Sequence, residues 1–281
     1  MGVIRVTRRP YYYAQLAEKQ EQELQLEPLE VEEYPRSTLA FRFEVAGLKG
    51  YTSDQQTRLR KIISSVFKKK GRFVREHNPY GSRGYYDWGE IMLSETMIST
   101  GNFDIQHIEP VLELMKALHE RDLYPADEIE ITYHPEKPSI ALLVNLTNII
   151  ESRRPLIETA LLLEEPFLIV CNDGFALSIK LGAFSYTAVE ATAYIIAQAC
   201  KMAQTTGKSR MKPCDMANPK YQMRSWLLRL GFIGEQYARP RKTLLEALEG
   251  DTAFYSEDQK QRAVARRKAR KMNGALEYES A

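Results

Sequence analysis

The chain has 281 residues, 39 basic against 37 acidic side chains and a net charge of +2, so no whole-molecule field draws a polyanion and any electrostatic function must come from local clustering. A chain of this length buries roughly three quarters of the surface it exposes when unfolded and needs no staples to fold. Its three cysteines, Cys171, Cys200 and Cys214, are odd in number and widely spaced, with no CxxC pair and no zinc spacing, so they read as small apolar residues in a reducing compartment.

No run of about 18 apolar residues occurs, and the opening MGVIRVTRRPYYY lacks the apolar core of a signal peptide. A cytoplasmic location without membrane contact is expected. Residues 1–37 read as an arm: Arg5, Arg8 and Arg9 precede Tyr11, Tyr12 and Tyr13, and an acidic, glutamine-rich stretch runs from Glu18 to Glu33. One short helix is expected around Tyr13–Leu26.

From Leu39 the pattern becomes regular. Leu39–Val45 alternates apolar and polar residues as a half-buried strand does. Ser53 opens a helix with Leu59, Ile62, Ile63, Val66 and Phe67 at helical spacing, and Gly71 ends it. Two strands are expected at Arg72–His77 and Glu90–Ile98, joined by a glycine-rich loop, Asn78–Gly89. Asp104 then caps a helix whose apolar face is Ile105, Ile108, Val111, Leu112, Met115 and Leu118. The order is β-α-β-β-α.

Ile129–His134 begins a second series. Ser139–Glu151 carries Ile140, Leu143, Leu146 and Ile150 at a helical period, although Ile140–Val144 alone also fits a strand. Pro155 suits the first turn of another short helix. Phe167–Cys171 and Phe175–Lys180 form a hairpin around Asn172-Asp173-Gly174, and Thr187 opens a long helix to Thr205. The expected fold class is therefore α+β: an arm (1–37), two tandem β-α-β-β-α units (38–123 and 126–208), a helical hairpin (219–250) and a basic tail (251–281). In the hairpin, Lys220–Gly231 and Glu235–Gly250 flank the turn Gly231-Phe232-Ile233-Gly234, with Met223, Trp226, Leu227 and Leu230 as the packing stripe.

Chemistry is sparse. His107 and His119 lie three helical turns apart, His77 and His134 stand alone, no serine sits in a GxSxG elbow, and Asp87, Glu90, Glu95 and Glu44 read better as sheet-surface acids than as metal ligands. No catalytic constellation, metal site or cofactor is expected. Three features point to binding. The loop Asn78–Gly89 sets Arg83 among Tyr85, Tyr86 and Trp88, a composition suited to stacking on bases or filling a partner's pocket. The hairpin has a helix-turn-helix look, with Arg239, Arg241 and Lys242 early in its second helix, where base contacts would fall. The tail crowds seven basic residues, among them Arg266, Arg267, Lys268, Arg270 and Lys271, into the twelve positions from Lys260.

Across Lys220–Phe254 the chain carries Tyr221, Arg224, Trp226-Leu227-Leu228-Arg229-Leu230-Gly231, Gly234, Tyr237, Arg241-Lys242, Leu244-Leu245, Leu248, Gly250 and Ala253-Phe254. This segment resembles the C-terminal signature of a family labelled "virulence-related protein", found in phages and integrative elements of Gram-positive gut bacteria. A weaker likeness extends through Ile149–Met202. The resemblance implies a mobile-element gene product in a bacterial cytoplasm, and it supplies no catalytic residue. The sequence thus points to a non-enzymatic accessory protein that binds nucleic acid or a nucleoprotein. Two alternatives stand beside it: an antagonist that docks on a host defence nuclease, and an enzyme whose site is assembled from distant residues.

Overall fold

The computed structural model describes residues 37–45, 53–66, 71–75, 81–86, 89–94, 97–123, 125–163, 165–171, 175–180, 185–256 and 258–267. The expected arm and its Tyr13–Leu26 helix lie outside them. The fold is mixed helix and sheet. Its strands are β1 (Thr38–Val45), β2 (Gly71–Arg75), β3 (Gly81–Tyr86), β4 (Gly89–Ser94), β5 (Met97–Thr100), β6 (Pro125–His134), β7 (Leu168–Cys171) and β8 (Phe175–Lys180). They form one sheet in the order β2-β3-β4-β5-β1-β6-β8-β7, with every neighbouring pair antiparallel.

The helices are α1 (Ser53–Val66), α2 (Ile108–His119), α3 (Ile140–Glu151), α4 (Arg154–Leu161), α5 (Tyr186–Thr205), α6 (Pro219–Arg229), α7 (Ala238–Glu246) and a tail helix α8 (258–267). Along β1, Leu39, Phe41, Phe43 and Val45 are buried while Arg42 and Glu44 are exposed, so helices cover one face of the sheet. The buried residues of α1 through α7 join those strand residues in a single core.

The first half departs from expectation in two places. The segment read as the loop Asn78–Gly89 contains β3, paired to β2 on one side and β4 on the other. Gly81, Ser82 and Gly84 are poor strand formers, but ladder pairing on both sides overrides local propensity. Glu90–Ile98, read as one strand, is the hairpin β4–β5. Its buried residues change phase across the turn, from Ile91 and Leu93 to Ile98 and Thr100, and that change was visible in the sequence. The series before Tyr124 is therefore β-α-β-β-β-β-α. β1 also pairs with β6 across the expected boundary, so the strands of both series share one sheet.

Caps explain the helix starts. Asp104, Ser139 and Ser185 accept from the backbone N–H of Gln106, Leu142 and Ala188. With Ser139 capping it, Ile140–Val144 is helical. α5 is buried on nearly all sides, and its alanines let β6, α2, α3 and α7 approach closely.

At the C-terminal end, Asn218 caps α6 by accepting from Tyr221 N–H, and its Nδ2 donates to Phe254 O at 2.8 Å. A side chain at Gly250, where φ is +106°, would meet Asn218 Oδ1 at 2.3 Å, so this close approach requires glycine. Met223, Trp226, Leu227 and Leu230 are buried, as are Phe232, Leu244 and Leu248 opposite them. Ser256 caps α8, its Oγ accepting from Gln259 N–H, and Gln259 Oε1 accepts in turn from Tyr255 N–H.

Candidate nucleic-acid and partner interface

Charge is segregated along the chain. Residues 1–200 hold 22 basic and 28 acidic side chains, whereas residues 201–281 hold 17 basic and 9 acidic, a net charge of +8 in the C-terminal part. Lys201, Lys208, Arg210, Lys212, Arg224 and Arg229 are exposed, as are Lys242, Arg262, Arg266 and Arg267.

The scaffold beneath them is pinned. Buried Asn145 on α3 donates to Thr206 O and accepts from Ser209 N–H, both at 2.8 Å, and Asn148 Nδ2 donates to Ser209 O at 3.2 Å. Lys208 and Arg210 therefore project from a strap fixed to a core helix. Tyr255 donates to Asp215, whose carboxyl this bond holds below the usual range, and the Tyr221 and Tyr255 rings meet edge to face. Lys260 reaches Asp251 at 3.4 Å. That contact engages one of the seven tail cations.

The arginines expected to face bases are placed otherwise. Arg239 grips Glu190 of α5 with two bonds, Nε to Oε2 at 2.6 Å and Nη2 to Oε1 at 2.8 Å, and Nη2 also meets Glu109 of α2. Glu190 is almost fully enclosed, and a buried carboxylate needs a cation. The bonds to Glu190 hold the Arg239 guanidinium protonated above its ordinary range, and burial, followed by the Glu190 charge, pushes the neighbouring Tyr194 hydroxyl up. Gln198 Nε2 donates to Tyr237 Oη at 2.6 Å in the same seam. Arg241 donates to Phe232 O at 2.8 Å, closing the turn before α7. Of the three hairpin cations only Lys242 has its charge directed to solvent without such a bond among the described contacts.

Arg83 sits in register between Val74 and Met92, Tyr85 between Arg72 and Glu90, and Tyr86 between Gly71 and Gly89. They belong to an interior strand, not to a free loop, and Trp88 lies outside the described residues. Arg266 and Arg267 are exposed at the end of the described part of α8, and Lys268, Arg270 and Lys271 lie beyond it.

Cys200 is fully buried and hydrogen-bonded with Tyr133; burial pushes its thiol up to about 12. Cys214 is half-buried beside the Arg153 guanidinium, whose pKa burial and the nearby Arg229 charge lower. Among the described residues no cluster of three or more His, Cys, Asp or Glu could hold a metal ion, and no helix is long and apolar enough to cross a membrane. No protein-family model matches this chain, and neither does any curated protein.

One cationic surface escaped the sequence reading. The apolar spacing of α1 points only to its inward face, although the sequence from Arg58 to Arg75 holds eight basic residues and no acidic one. That unbroken charge run was the available signal.

Proposed function

We propose that this chain is a non-enzymatic accessory protein of a phage or integrative element that binds nucleic acid through its basic C-terminal part. The observation that carries the reading is the +8 charge of residues 201–281, displayed by exposed side chains on the pinned strap, on α6 and on the capped helix α8. Such a surface neutralises phosphates without reading sequence. The hairpin contributes as a platform for the tail and strap, since Arg239 and Arg241 are engaged internally. The mobile-element assignment rests on the resemblance across Lys220–Phe254.

Charge reversal of Arg266, Arg267, Lys268, Arg270 and Lys271 tests the reading. It should abolish binding to random-sequence duplex DNA at 150 mM salt while the melting temperature stays within about 2 °C, as surface substitutions do. Undiminished binding by that variant would refute it. A second reading, docking on a host defence nuclease, draws support from Leu228 and Ile233, apolar side chains exposed by 44% and 65% beside Arg224 and Arg229. Co-purification of such a nuclease after complete digestion of nucleic acid would favour it.

A further inference from the structure

α1 carries a cationic furrow separate from the C-terminal surface. Its inward face buries Leu59, Ile62 and Ile63, and its outward face presents Arg58 and Lys61, with Arg60 half-exposed beside them. Arg121, in the turn after α2, adjoins it. Arg58 Nη2 donates to Arg121 O at 3.5 Å, and Arg121 Nη1 donates to Ala117 O at 2.6 Å. Both guanidiniums are thus steadied by carbonyl groups, which neutralise no charge.

Two adjoining hollows of about 310 and 630 Å³ run along this face and share Thr57, Lys61 and Ser65 in their walls. The exposed Ser64 hydroxyl is a donor suited to a phosphate oxygen, whereas the Ser65 hydroxyl donates to Ile62 O at 2.8 Å, and Asp54 is the one acid among the described residues of either wall. The chain then runs on through Lys68, Lys69, Lys70, Arg72 and Arg75. None of the exposed large apolar residues lies on α1, which argues against insertion into a lipid surface. From Arg58 to Ser65 the helix spans about 10 Å. One strand of a duplex presents about three phosphates over that length.

We infer that the outward face of α1, with Arg121, is a second phosphodiester-backbone contact for nucleic acid. It takes the ligand class of the proposed function but stands on different residues, on another helix. It makes no base contact; its contribution is affinity and placement.

The test uses the full chain, a labelled 30-base-pair duplex and anisotropy over a range of salt. The variant Arg58→Gln/Lys61→Gln/Arg121→Gln removes three cations from exposed positions. The log–log salt slope should shrink by about 3, and affinity at 100 mM salt should fall at least tenfold. A measurement on the unaltered protein accompanies it: duplex should protect Lys61 from acetylation, read by mass spectrometry, and this holds even if the triple variant folds poorly. If the tail reversal abolishes binding while the α1 variant keeps its slope and Lys61 reacts at the free rate, the α1 inference falls and the C-terminal reading stands. If the α1 variant loses binding and the tail reversal does not, the C-terminal reading falls and α1 stands. Absence of duplex binding at low salt overturns both. Equal protection of Lys61 by polyglutamate of matched charge would assign the furrow to an acidic protein and overturn it as well.

Discussion

Replacing Arg239 with methionine removes the cation that compensates Glu190 and keeps the aliphatic stem. The Glu190 side chain is 4% exposed and that of Arg239 is 48% exposed, so the two partners are not equivalent. Stripping the partner from a fully buried ion pair costs about 3–5 kcal/mol, because the remaining charge has neither solvent nor counter-ion. Solvent reaches the Arg239 side, which reduces the figure to about 2–3 kcal/mol. Glu190→Gln leaves an amide that still accepts from Arg239, and the guanidinium keeps Glu109; about 1 kcal/mol is expected. Joining Arg239→Met with Glu190→Gln leaves no charged pair in the seam, and the double variant should lose less than the two single costs together by about 1–2 kcal/mol. Urea denaturation at pH 7 with an unchanged m-value measures all three. A loss below about 0.5 kcal/mol for Arg239→Met, or strict additivity in the double variant, would refute the assignment of Arg239 as an internal tie and return it to the list of candidate ligand contacts.

Trp226, 3% exposed in the hairpin stripe, should cost roughly 3–5 kcal/mol when changed to alanine, and in a Trp88→Phe background its fluorescence should be blue-shifted and poorly quenched. A red-shifted, freely quenched signal would overturn that packing. The buried pair Cys200 and Tyr133 predicts alkaline lability. Burial raises both above their ordinary values of 9.0 and 10.0, so their contribution is complete below about pH 9 and is lost as the pH climbs towards 12. Urea melts should show stability falling by about 1.4 kcal/mol per pH unit just above 9 and more steeply above 10. Cys200→Ala and Tyr133→Phe should each flatten the curve, and a flat profile in the unaltered protein would contradict the linkage.

The helices were legible where an apolar stripe and a cap coincide, as at Ser139–Glu151, or where a burial stripe repeats, as at Met223–Leu230. β3 was not legible, because its glycines and serine signal a turn and only the ladders on either side make it a strand. The split of β4 from β5 was present in the phase change between Leu93 and Ile98, but one turn inside a run of apolar residues is easily read through. Among the candidate contacts, the tail cations were plain in the sequence because charge runs need no partner to be seen. The engagement of Arg239 was not, since Glu190 lies 49 positions away and Glu109 lies 130 away. Ion pairs of that separation are products of the fold. The α1 furrow was missed although its charge run is local: Leu59, Ile62 and Ile63 define the helix, and attention to that face leaves the other unread.

The most direct test of a C-terminal phosphate-binding surface is the salt dependence of duplex binding by the unaltered full-length protein. Lys260 is held by Asp251, so the remaining six tail cations alone should give a log–log slope of about −5, made steeper by any contact from the strap or α1. An affinity independent of salt, or no binding at 50 mM salt, would contradict the account.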